Sequence, residues 1–181
     1  LQDQTGVPAD LLTALAWASS SFAPVEHDGD HGAPSYGWMG LNEEQLARGA
    51  ELLGVPASQV ATDRESNFVA GAMLLAELRS QVAPDATDGV ADATWWPIIV
   101  AWPALGEDWL NHEFALDVFA TLQRGLVATT SEGDVVELAA REIPGLEDVE
   151  FIAPPGGDGS TYAAGTDYPA ASRFLAAHSS N

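Results

Sequence analysis

The chain has 181 residues and a mass of 19.0 kDa, enough for one domain or one domain with a tail, and its 46% hydrophobic content is ordinary for a globular protein. Six arginines and no lysine face 27 acidic residues, a formal net charge of −21. Binding to nucleic acid and docking on an anionic membrane both need clustered cations, so neither is an expected partner. The absence of cysteine excludes a disulfide framework, a thiolate zinc site and a thiol nucleophile.

No apolar run approaches the roughly 20 residues that span a bilayer. The opening Leu1-Gln-Asp-Gln-Thr5 has neither the basic nor the apolar region of a signal peptide, so any such leader is expected to have been removed or to lie outside this sequence. Pro8 suits a first helical turn, and Leu11, Leu12, Leu15, Ala16, Ser19 and Phe22 recur on one face, which predicts a helix over 8–22. The polar run Glu26-His27-Asp28-Gly29-Asp30-His31-Gly32 follows. Asn42 with Gln45 three residues on forms a capping-box pattern; the helix it opens carries Leu46, Ala50 and Leu53 and stops at Gly54. Val55-Pro56 restarts a short helical turn. Phe68, Ala72, Leu75 and Leu78 mark a helix over 63–79. Pro84 and Gly89 bound an acidic loop that holds Asp85, Asp88 and Asp92. Thr94 is placed to cap a short helix through Trp95, Trp96, Ile99 and Trp102, broken at Pro103. A longer helix is predicted over 111–123, ended by Gly125.

Beyond residue 130 the pattern weakens. Val135 to Arg141 predicts one more short helix, and 154–160 is a linker by its proline and glycine content. Strand patterns are nearly absent and no repeat is visible. The expected class is all-α: an irregular helical domain over 1–127 and an extended, mostly non-regular tail over 128–181.

Of the six tryptophans, Trp17, Trp95 and Trp109 sit within helical apolar patterns and are expected in the core. Tyr36, Trp38 and Trp102 have two readings, core packing or aromatic faces that stack on sugar rings. His27-Asp28-Gly29-Asp30-His31 fits neither an EF-hand loop nor a helical His-x-x-x-His pair, so it is read as a polar turn and no metal is expected. Ser19-Ser20-Ser21 lacks the Gly-x-Ser-x-Gly elbow and the alternating strands and helices of a serine hydrolase.

Three segments, in order, resemble the lysozyme-like soluble lytic transglycosylase family. They are Ala16-Trp-Ala-Ser19-Ser20-Ser21-Phe22, Ser35-Tyr36-Gly37-Trp38-Met39-Gly40-Leu41, and Asn67-Phe-Val-Ala-Gly71-Ala-Met-Leu-Leu75. The family carries Glu-Ser-x-Phe, Ser-x-Gly-x-Met-Gln-Leu and Asn-Ile-x-x-Gly-x-x-x-Leu at similar separations. A narrower likeness is to the helical domains ahead of the catalytic domain in bacterial N-acetylmuramoyl-L-alanine amidases. Gly6-Val-Pro-Ala-Asp-Leu-Leu12, Ala47-x-x-Ala50-x-Leu-Leu-Gly-Val55, and the end from Asp167-Tyr-Pro169 through Ala177-His-Ser-Ser-Asn181 are similar to those proteins.

The resemblance implies a lysozyme-like fold, peptidoglycan glycan strands as partner, a secreted or cell-envelope location, and a zinc amidase domain beyond Asn181; this chain itself needs no cofactor. It implies substrate-side roles for Ser20, Ser35, Tyr36, Gly37, Trp38, Met39, Asn67 and Trp102. Glycan cleavage needs a carboxylic acid that protonates the leaving oxygen. The family places a Glu at the end of the first helix; the matching residue here is Ser19, and a hydroxyl is no general acid near neutral pH. The segment Trp102-Pro103-Ala104 replaces the family's Tyr-Asn-x, a second departure. The expectation is a binding module that no longer cuts. The alternatives are an active muramidase or lytic transglycosylase using a displaced carboxylate, Glu26 first and Asp28 or Asp30 after it, and a domain that only docks against the amidase domain.

Overall fold

The computed structural model describes residues 1–26 and 34–152, and the side chains of Val25 and Glu26 are outside that description. Among the described residues the molecule is mostly helical, with seven α-helices and two small two-stranded sheets. None of the helices is long and apolar enough to cross a membrane.

The central helix is α2 (Ala9–Ser20), which follows the single turn α1 (Gln2–Thr5). Pro8 is its N-cap, and Leu11, Leu12, Ala14, Leu15 and Ala16 are buried. Ser21 and Phe22 end it, both in the left-handed region (φ 52 and 58), a costly conformation for residues with a Cβ. Burial of the Phe22 ring, 5.5 Å from Trp17 between centroids, offsets that cost. Strand β1 (Val25–Glu26) then pairs antiparallel with β2 (Tyr36–Gly37), Glu26 in register with Tyr36.

Helix α3 (Glu43–Leu53) opens with the expected capping box: Asn42 accepts from the Gln45 amide, and the Gln45 side chain accepts from the Asn42 amide. It closes at Gly54 (φ 67). Helix α4 (Ala57–Thr62) is a short turn, and α5 (Arg64–Val82) is capped by Asp63, which accepts from Ser66. These three helices pack on one another. Helix α6 (Trp96–Ala101) follows a 3-10 turn, Ala93–Trp95, capped by Asp92 rather than by Thr94. Helix α7 (Asp108–Arg124) packs on both α2 and α6. It starts three residues before the expected 111, and from within its first turn the Asn111 side chain holds both backbone polar groups of Leu105.

The expected helix over 135–141 is a strand. Strand β3 (Leu126–Thr129) pairs with β4 (Val135–Leu138), and Leu126, Ala128, Val136 and Leu138 turn towards the core while Val127 and Val135 stay exposed. Residues 128–152 therefore belong to the packed body: the expected break at 127 falls inside β3, and Ile143 and Leu146 are buried in the same core. The linker 154–160 and the end similar to amidases, 167–181, lie outside the described residues.

The core joins Leu11, Leu15, Leu75, Trp95, Ile98, Ile99, Phe119 and Leu122, all fully buried. Trp95 is core as expected, whereas Trp17 and Trp109 are half-buried.

Candidate functional site

The three segments singled out in the sequence meet at one junction. Residues 37–40 form a small closed loop, its ends tied by two bonds: Tyr36 donates to the Leu41 carbonyl at 2.8 Å, and Leu41 donates back at 3.0 Å. Gly37 (φ 68) and Gly40 (φ 57) allow the reversal.

The loop is fastened from two sides. On one side Ser20, in the last turn of α2, donates its hydroxyl to the Trp38 carbonyl at 2.6 Å, with the Ala16 carbonyl at 3.0 Å as the alternative acceptor of the same proton. On the other side stands Asn67, in the first turns of α5 and fully buried. Its Oδ1 accepts from the Met39 amide at 2.8 Å, and its Nδ2 donates to the Val60 carbonyl at 3.0 Å and reaches the Tyr36 carbonyl at 3.5 Å. A Cβ on Gly37 would collide with this amide, and one on Gly71 would stand 2.9 Å from Met39 Cε. The loop is thereby seated directly on α5.

Ser19 is half-buried against the loop: a Cβ on Gly40 would lie 3.1 Å from Ser19 Cβ. Ser35 and Tyr36 are also half-buried. The other sequence candidates are placed differently from what substrate contact requires. Met39 and Asn67 are fully enclosed, and Gly37 is buried beneath Asn67; they position the loop. Trp38 and Trp102 are 5% and 3% exposed, so neither offers a face for a sugar ring, and the core-packing reading replaces the stacking one for both. The Trp102 carbonyl accepts from Gln45 Nε2 at 2.8 Å, tying the end of α6 to the start of α3. The Trp38 indole N–H is buried with no acceptor among the described residues.

Ser19, Ser20, residues 35–41 and Asn67 carry no carboxylate. Glu26 stands opposite Tyr36 in the β1–β2 register, and Asp28 and Asp30 lie outside the described residues, as do His27 and His31. Among the described residues no group of three or more His, Asp or Glu side chains is placed to hold a metal.

Sequence reasoning missed two titratable groups on α7. Burial pushes the Asp117 carboxyl up to about 6; Arg124 opposes the shift and Glu113 adds to it. Burial also lowers the His112 pKa against the pull of Asp108 and Glu150. Both residues occur in a helix with nothing to mark them, since the burial that shifts them comes from packing against other elements.

No family model, no curated protein and no solved structure matches the chain. The chemistry open to the junction follows from its own described residues, Ser19, Ser20, 35–41 and Asn67: hydroxyl, amide and backbone groups that hydrogen-bond.

Proposed function

We propose that this chain is a glycan-strand binding module of a cell-wall amidase, secreted or at the cell envelope, which holds peptidoglycan without cutting it. The observation that carries this reading is the junction itself. The three segments that resemble the transglycosylase motifs pack against one another, and Ser19, the residue that the resemblance matches to that family's acid, lies beside Gly40. Serine supplies no proton to a glycosidic oxygen near neutral pH, but its hydroxyl serves as a hydrogen-bond partner for a sugar. A tethered binder raises the local concentration of wall for a linked catalytic domain without adding chemistry of its own. The zinc amidase domain beyond Asn181 is part of the same proposal. Sedimentation with insoluble peptidoglycan tests it: retention above an unrelated protein of equal negative charge is expected, and equal recovery in the supernatant contradicts it.

A second reading is favoured by the register of β1 and β2. Glu26 lies across from Tyr36, in the strand paired with the loop that Ser20 and Asn67 hold. On this reading Glu26 is the displaced acid and the domain a muramidase or lytic transglycosylase. Turbidity clearing of cell walls that Glu26→Gln abolishes would establish that reading, and no clearing between acid and neutral pH would remove it.

A further inference from the structure

After the 3-10 turn Leu146–Asp148 the chain runs back over the corner between α6 and α7, and one side chain fastens it there. His112, in the second turn of α7, accepts the Ile152 backbone N–H on Nδ1 at 3.3 Å. Its ring stands edge-on to Trp96 at 5.8 Å and to Phe151 at 5.9 Å, joining a helix on one side to the returning segment on the other. Beside it lies a recess of about 310 Å³, walled by Trp96, Pro97, Val100 and His112 from the helices and by Val149 and Glu150 from the segment.

A backbone N–H can only donate. Nδ1 is therefore an acceptor in this arrangement, and the neutral ring carries its proton on Nε2. We propose that His112 is a pH-sensitive latch: neutral, it fastens Val149–Ile152 across α6 and α7; protonated, it turns a second N–H against the Ile152 amide, releases the segment and uncovers the apolar wall of Trp96 and Val100 beside the already exposed Pro97.

The surroundings favour the closed form at neutral pH. The turn before α6 and α6 itself present Ala93, Trp96, Pro97 and Val100 to the recess, with no charge among them. The charges that act on the ring are Asp108, one turn earlier on α7, and Glu150 on the segment, and both favour the imidazolium. Burial of the ring outweighs them and lowers its pKa below 6.5. The latch contribution is therefore fully present above the unfolded value of about 6.5 and is lost as pH falls through the lowered folded value.

NMR on the intact chain tests this, in an Asp117→Asn background because Asp117 titrates in the same window. The His112 ring resonances and the Ile152 amide are followed from pH 7.5 to 5, with exchange corrected for its intrinsic pH dependence. Protection of Ile152 is expected to fall about fivefold, the weight of one hydrogen bond, with the same midpoint as the ring and below 6.5. His112→Gln, which keeps an acceptor that does not titrate, is expected to remove the step. Protection that stays constant through the His112 midpoint, or the same step in His112→Gln, overturns the proposal. Should the variant fail to fold, the coincidence of the two midpoints in the histidine-bearing protein decides alone.

Discussion

The loop at 37–40 and the hairpin β3–β4 are both short, non-helical pieces fastened to the C-terminal end of α2, and they are held in opposite ways. Ser20 and Asn67 grip the loop through directional bonds, and its tip residues Trp38 and Met39 are 5% and 0% exposed. The hairpin touches the same region through Ser131, which donates to the Phe22 carbonyl, and through one apolar face, while Val127 and Val135 are 75% and 64% exposed on the other. The loop is over-determined: Asn67 is fully buried and Ser20 half-buried, and removing either strands a polar partner. The hairpin needs only side chains of suitable shape on alternate positions.

The difference is broken most directly at Asn67. Asn67→Ala leaves the Met39 amide and the Val60 carbonyl without partners in a buried site and opens a cavity. A loss of about 3 kcal/mol or more is expected in denaturant unfolding. A variant as stable as the parent would mean that apolar packing alone seats the loop.

Asp117 sharpens the comparison from α7, the helix packed on α2. Its carboxyl is raised from 3.8 to about 6 by burial, so the folded state disfavours its charge. That penalty is absent below about pH 4 and complete above pH 6. Asp117→Asn is expected to stabilise the protein at pH 7.5 by about 1 kcal/mol, a figure discounted for the partial exposure of the group, and by nothing at pH 3.5. Equal stability of variant and parent in thermal melts at both pH values would mean that the carboxylate is solvated.

On the hairpin the expected effect is the smallest. Val127→Thr keeps a β-branched side chain on the exposed face and should change stability by less than about 0.5 kcal/mol. A loss of several times that would show that this face is covered.

The same contrast explains what was legible in the sequence. Asn42 with Gln45, Pro8, Gly54 and Gly125 act within a few residues of themselves, so the helices they bound could be read directly. The strands could not. β1 and β2 are two residues each, and Val135-Val136 offers an apolar pair in which only Val136 turns inward. Its partner, Ala128, is fixed by register rather than by local pattern. At the junction, Ser20, Trp38 and Asn67 could be singled out as motif residues, while their meeting comes from the packing of α2 and α5 around the loop. The burial of Trp38 and Trp102 was not legible, because an aromatic residue in a loop has the same pattern whether it faces a ligand or the core. His112 was invisible for a related reason: its acceptor role depends on Ile152, 40 residues away.

The proposed function turns on residue 19 occupying the position of a missing acid. In Ser19→Glu the new carboxyl would lie at the end of α2, against Gly40 and near the negative end of the helix dipole. Titration of that carboxyl by NMR, with cell-wall clearing measured on the same sample, tests the claim directly. The account predicts a pKa above the ordinary value of about 4.3 and measurable clearing where the parent gives none. A carboxyl that titrates as in a free peptide, with no clearing, would contradict it and remove the reason for assigning glycan strands to this junction.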